Sequence, residues 1–163
     1  MSFQVTLPLV LGVDPGLTGA IAALDIAGTL IALEDLPVIR DRSLAWVDAA
    51  LLPRILEFKA GRPITAIVER QQAMPRQGVS SSFTTGVAFG SLLAILQVAA
   101  CGIEFVTAAT WKRAMGLSSD KRASLDKARL LFPTADLSLT KHDGRAEALL
   151  LAHYGLTRAR AAA

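Results

Sequence analysis

The stretch Leu9-Val10-Leu11-Gly12-Val13-Asp14-Pro15-Gly16-Leu17-Thr18-Gly19-Ala20 decides how the chain is read. Leu9 to Val13 is apolar at every position and ends at a turn signal, the pattern of a strand buried on both faces. Asp14 stands where the strand must end. Gly16 and Gly19 are able to adopt positive φ and to let a ligand approach the backbone. Ala20 to Leu24 starts a second strand, and Asp25-Ile26-Ala27-Gly28 reads as a hairpin turn into Thr29 to Leu33. One carboxylate is therefore expected at the edge of a hairpin sheet, facing an open loop. Asp-Pro-Gly is also a common turn, so the rest of the chain has to decide between a turn cap and a functional acid.

Working outward, 163 residues suffice for one domain with a substantial core, and a hydrophobic fraction of 52% excludes a disordered chain. No basic leader with a cleavage site is seen, which points to a cytoplasmic protein rather than a secreted one. The most membrane-like stretch, Val87 to Ala100, is interrupted by Ser91 and Gln97 and falls short of the ~20 residues of a span. It is expected to be a buried core helix, with no membrane partner. The single cysteine, Cys101, excludes an internal disulfide and a cysteine-rich metal site. Charge is uneven. Residues 1–100 carry 7 Lys/Arg against 8 Asp/Glu, whereas residues 101–163 carry 10 against 6. The basic second part suits a polyanionic partner.

After the hairpin, Leu36 to Arg42 is a polar connection. Leu44, Val47, Leu51, Ile55 and Phe58 then predict a helix from Leu44 to about Lys59, with Ser43 as its cap. Ile64 to Val68 repeats the opening pattern, an apolar strand with an acid, Glu69, at its end. A helix between two strands implies a parallel pair, whose carboxyl ends share one edge of the sheet; Asp14 and Glu69 would meet there. Arg70 to Ser82 is a polar loop carrying Arg70 and Arg76. A long helix follows from about Ser82 to Ala100, with Gly86 and Gly90 on one face. Gly102 to Val106 is a further strand. Thr107 or Thr110 caps a short helix containing Trp111-Lys112-Arg113, and Asp120 to Leu131 is a basic helix carrying Lys121 and Arg122. The last helix runs from about Lys141 to Tyr154 and places Asp143 and Glu147 on one face, since i and i+4 are neighbours. Residues 1–157 read as a single domain, with 158–163 an Arg/Ala-rich tail.

The acids form a candidate set: Asp14, Glu69, Asp143 and Glu147. Two like charges at i,i+4 are mutually unfavourable, and a cation between them would relieve the cost. Oxygen-only donors suit Mg²⁺, with Mn²⁺ as a substitute. Two such ions about 4 Å apart activate water and stabilise the leaving oxygen in phosphodiester cleavage, while nearby Lys and Arg hold the phosphate backbone.

Taken together, these segments resemble the RuvC family of Holliday-junction resolvases, within the RNase H-like α/β fold: a mixed sheet of antiparallel hairpin strands and parallel strands, flanked by helices. The similarity is greatest to the shorter bacteriophage-type members. It rests on Leu11 to Gly16, Ile67-Val68-Glu69, Gly78 to Phe83 leading into the Gly86/Gly90 helix, Val106-Thr107-Ala108, Trp111-Lys112-Arg113 with Lys121 beyond, and His142 to Leu150. The resemblance implies a Mg²⁺-dependent endonuclease acting as a homodimer on four-way DNA junctions, its dimer element being the Gly86/Gly90 helix. Asp14 would bridge two metals, Glu69 would bind one, and Asp143 and Glu147 would complete the site. Lys112 and Lys121 match the family's basic positions near the scissile phosphate; Arg113, Arg122, Arg70 and Arg76 are further DNA-contact candidates. The bacterial family ends in two aspartates three apart, whereas here Asp143 and Glu147 are four apart, which brings in His142 as an alternative to Asp143. The family's aromatic after the strand-end Glu is replaced by Arg70-Gln71-Gln72-Ala73-Met74, which opens the question of junction selectivity.

Three rivals follow. A less selective branched-DNA or flap nuclease would explain the missing aromatic. The Asp14-Pro15-Gly16-Leu17-Thr18-Gly19 loop also resembles the ATP loops of the actin and sugar-kinase superfamily, but those proteins need two such domains. A non-catalytic junction-binding module gains nothing from carboxylates beside phosphates.

Overall fold

The apolar run around Val13 becomes the middle strand of a five-stranded sheet. The computed structural model describes residues 7–73, 75–118 and 120–162, without the side chain of Lys121. In chain order the elements are β1 (Leu9–Asp14), β2 (Ala20–Asp25), β3 (Leu30–Asp35), β4 (Val38–Asp41), β5 (Leu44–Val47), α1 (Leu51–Lys59), β6 (Ile64–Glu69), α2 (Val79–Val98), β7 (Gly102–Val106), α3 (Ala108–Ala114), α4 (Lys121–Leu131) and α5 (Asp143–Ala161). The large sheet has the order β3-β2-β1-β6-β7, and β4 and β5 form a separate two-stranded ribbon. β1, β2 and β3 pair antiparallel, whereas β1, β6 and β7 run parallel. The expected mixed sheet is the one observed. The β2–β3 turn forms as its sequence requires: Gly28 sits at φ 91, and Asp25 Oδ1 accepts from the Ala27 and Thr29 amides at 2.9 and 2.8 Å.

Strand parity divides the core. Leu9, Leu11 and Val13 of β1 and Ile64, Ala66 and Val68 of β6 face a layer built by α1 and α2, where they pack with Leu51, Ile55, Leu92 and Leu96. Val10 and Ile67 point to the opposite face, against α5, α4 and α3. A period of two then sends Asp14 and Glu69 to the α5 face as well. The register Val13↔Val68 places the two acids at the next step, side by side at the carboxyl edge.

α5 lies directly on β1. A Cβ on Gly12 would stand 2.0 Å from the Ala148 carbonyl oxygen and 2.3 Å from the Ala152 amide nitrogen. One on Gly144 would stand 2.4 Å from the Thr18 carbonyl oxygen and 3.2 Å from Asp14 Oδ2. Small residues on both sides thus bring the helix backbone down onto the strand and its first turn onto Asp14. The middle of the helix is closed in from all sides, with Ala146 and Ala148 to Ala152 fully buried, as an all-round apolar helix requires.

Four expectations are corrected. Residues 44–59 are not one helix: 44–47 form β5, and only Leu51–Lys59 is helical. Pro53 explains this, because its missing N–H is tolerated in the first turn but would orphan the Ala49 carbonyl inside a longer helix. Ala45 and Val47 bury alternately, Arg42 takes φ 51 in the turn, and the Val47 amide donates to Ser91 Oγ at 2.9 Å. Second, α2 spans 20 residues and is not a buried core helix. Ala88, Leu92, Ile95 and Leu96 are covered, but Val79, Phe83 and Val98 are 88%, 66% and 70% exposed. In length and composition α2 also meets the requirements of a membrane span, although its covered face packs on β5 and the sheet. Third, Gly16 and Gly19 do not take positive φ. Gly19 is required by crowding, since a Cβ there would lie 2.1 Å from the Asp14 carbonyl oxygen. The last helix also continues past Tyr154 to Ala161.

Candidate active site

The carboxyl edge of β1 and β6 is where the acids gather. Asp14 is half-buried at the end of β1, and the Gly16 amide donates to its Oδ1 at 3.4 Å. Protein packed around it disfavours its charge, and the negative charges of Glu147, Glu69 and Asp143 add to that. Only the Gly16 amide opposes them, and the carboxyl is pushed up to about 7. Glu69 is also raised, chiefly by burial and further by Glu147; the hydrogen bond from Trp111 and the charge of Lys112 pull the other way.

Two consecutive residues of α3 hold two of these acids. Trp111, fully buried, donates its indole N–H to Glu69 Oε2 at 2.7 Å. Lys112 reaches the other way and pairs with Glu147 Oε1 at 2.7 Å, both side chains being largely covered. The buried Ser124 hydroxyl of α4 donates to the same oxygen at 3.5 Å. Glu147 is thus a buried charge with a partner, as such burial demands. Asp143 occupies the first turn of α5 and lines a cleft of about 400 Å³ with Arg122, Leu125, Asp126, Arg129 and Thr140.

The basic candidates divide. Lys112 is inside the site, Arg113 is exposed in the last turn of α3, and Arg122 is exposed on α4 facing the cleft that Asp143 lines. Arg70 follows Glu69 and lies over the Phe105 ring, 5.6 Å from its centroid. Arg76 is exposed in the loop before α2. Met74 and the Lys121 side chain lie outside the described residues. His142 is buried beside the site, and its Nδ1 lies 3.8 Å from Asp136 Oδ1.

Sequence reasoning did not find the roles of Trp111, Ser124, Gly12 or Gly144. Gly12 alone left a signal, because a glycine inside an apolar strand marks a close backbone approach. Arg145 was missed too: it bridges Asp35 at 2.6 Å and Asp136 at 2.6 Å, clamping the first turn of α5 to the end of β3.

The donor set fits a hard divalent cation. It is all oxygen, and the like charges crowding Asp14 are what a cation would balance. Among the described residues, no three Asp, Glu, His or Cys side chains are drawn into a ready cage; Glu69 is turned to Trp111 and Glu147 to Lys112.

Comparison with solved structures is decisive for the fold. Thermus thermophilus RuvC in complex with Holliday junction substrate superposes with a TM-score of 0.67 at 21% identity, over 94% of this chain and 95% of that one. The chain has the RuvC fold. A second Thermus thermophilus RuvC structure gives a TM-score of 0.57 at 19% identity, over 94% and 96% of the two chains. No protein-family model and no curated protein sequence matches the chain. The RuvC likeness extends over nearly the whole length of both proteins.

Proposed function

We propose that the chain is a divalent-metal-dependent endonuclease that cleaves four-way DNA junctions, of the bacteriophage type within the RuvC group and acting on DNA inside a bacterial or phage-infected cell. One observation carries this reading: on the RuvC fold, β1, β6 and α5 deliver Asp14, Glu69, Asp143 and Glu147 to one face of one sheet edge, with Lys112 among them.

Asp14, Glu69 and Glu147 would hold Mg²⁺ or Mn²⁺, and Asp143, at the mouth of the site, would complete the set. When bound, such ions activate a water and stabilise the leaving oxygen of the phosphodiester. The chain's own groups do the rest. Trp111 and Lys112 fix the carboxylates of Glu69 and Glu147. Lys112 would also offer its positive charge to the reacting phosphate, which would compete with Glu147 for it. Arg113, Arg122, Lys121, Arg70 and Arg76 supply backbone contacts that give affinity and salt dependence but no sequence information. The open face of α2, with Val79 and Phe83 exposed and nothing against Gly86 or Gly90, is proposed to meet a second copy, so that two sites act on the two symmetric strands of a junction.

Arg70 on Phe105, in place of a free aromatic at the tip of the loop, favours a second reading as a less selective branched-DNA nuclease. Glu69→Gln tests the shared mechanism. It should abolish cleavage while leaving junction binding in Ca²⁺ unchanged; full activity would remove Glu69 from the chemistry.

A further inference from the structure

A buried tryptophan needs an acceptor for its indole N–H, and a backbone carbonyl usually serves. Trp111 instead uses Glu69 Oε2, 42 residues away in sequence and at 2.7 Å. The register explains how it reaches. Glu69 pairs with Val106, the last residue of β7, and the Arg70 amide donates to the Val106 carbonyl at 2.8 Å. Thr107 follows at once and caps α3, its side chain accepting from the Thr110 amide. α3 therefore starts two residues beyond Glu69's own strand partner, and its first turn swings the indole back over that acid.

We infer that Trp111 is a positioning residue: its neutral N–H anchors one oxygen of the Glu69 carboxylate, Oε2, and leaves the other to serve the cation. This rests on the nuclease reading, in which Glu69 is a cation ligand. The chemistry of the two α3 residues differs in a way that suits it. Lys112 neutralises Glu147, so a cation has to compete with an ammonium there. An indole carries no charge and does not titrate. It restrains Glu69 while leaving its negative charge available, and it donates only, so it offers no competing ligand. Lys112 Nζ also lies 5.2 Å from the centroid of the same ring. The indole therefore borders both restraints, and its loss would loosen Lys112 along with Glu69.

The test must separate donor from bulk, because Trp111 is also core. Trp111→Phe removes the donor and some volume. Trp111→β-(3-benzothienyl)alanine keeps the bicyclic shape and replaces N–H by sulfur. Mn²⁺ binding to the DNA-free full chain is measured by calorimetry, alongside thermal melting and the emission of Trp111 in a Trp46→Phe background. The isosteric variant should melt within a few degrees of the parent and bind junction in Ca²⁺ unchanged, but bind Mn²⁺ some 10- to 100-fold more weakly. Mg²⁺ should shift Trp111 emission in the parent and not in Glu69→Gln. Parent-like Mn²⁺ affinity in the isosteric variant, with Glu69→Gln weakened, overturns the role of Trp111 alone. Parent-like affinity in Glu69→Gln overturns the nuclease reading and this inference with it.

Discussion

α5 and α2 are the two long helices, one on each face of the sheet. The middle of α5 is closed in on all sides, whereas α2 leaves about half its surface open along its length. Composition alone would suggest the reverse, since α2 carries no charged residue whereas α5 carries Asp143, Arg145, Glu147, Arg158 and Arg160. What differs is the surface each one meets. Opposite α5, Gly12 gives way to helix backbone, and Gly144 lets the first turn settle on Asp14. The helix carrying two of the four acids is thus locked to the strand carrying a third. α2 contacts the sheet through Ala88, Leu92, Ile95 and Leu96 and presents Val79, Phe83, Gly86 and Gly90 outward. Substitutions on the α5 side should change chemistry or folding, whereas those on the outer α2 face should leave the chemistry of a single chain intact.

The strongest way to break that contrast is at the α5 edge. Asp14→Asn should reduce cleavage below detection while making the metal-free protein more stable at pH 8. The sign follows from the raised carboxyl: with about 7 folded against an ordinary 3.8, the stability that a protonated Asp14 supplies is complete below pH 3.8 and is lost as pH rises through 7. Asparagine does not suffer that loss, so the variant's advantage should grow from nothing near pH 4 to on the order of 2–4 kcal/mol at pH 8. Urea melts at the two pH values check it, and saturating Mg²⁺ should erase the advantage by stabilising only the parent.

Gly12→Val should be nearly as damaging for a different reason. Its side chain would meet backbone rather than a flexible tip, and overpacking of that kind costs about 1–3 kcal/mol or more. A lowered melting midpoint with lost near-ultraviolet circular dichroism is the expected outcome. Phe83→Asp, on the outer face of α2, should leave the melting of a dilute sample unchanged and halve the particle mass in sedimentation. A parent-like mass would remove that face as the contact.

Smaller effects sharpen the picture. Gly86→Ala adds a methyl into open space at ordinary helical φ, so the monomer should gain about 0.5–1 kcal/mol from helix propensity. Asp35→Asn should cost under about 1 kcal/mol, since Asp35 is largely exposed. Arg145 lowers the Asp35 carboxyl, so that contribution is present above pH 3.8 and is lost as pH falls further; parent and variant should converge in acid.

Much of the site was legible because strands are simple. An apolar run ending in an acid, twice, with a helix between, placed Asp14 and Glu69 at one edge. The i,i+4 spacing gave the Asp143 and Glu147 side of α5. Ambiguity entered where two periods fit the same letters. Leu44, Val47, Leu51 and Ile55 satisfy a helix, yet Ala45 and Val47 also satisfy a strand, and only Pro53 arbitrates. The open side of α2 could not be read, because uniform apolarity does not say which side a fold covers. Trp111 and Glu69 are far apart in sequence, and a hydrogen bond between them becomes visible only once β6 and β7 are aligned.

The measurement closest to the central claim offers a four-way junction, a linear duplex and a flap to the protein in Mg²⁺, with Asp14→Asn beside the parent. The account predicts paired symmetric nicks in the junction, none in the duplex and none from the variant. Cutting of every branched substrate alike would favour the broader nuclease. Tight junction binding with no cleavage under Mg²⁺ or Mn²⁺, or cleavage that survives in Asp14→Asn, would contradict the account.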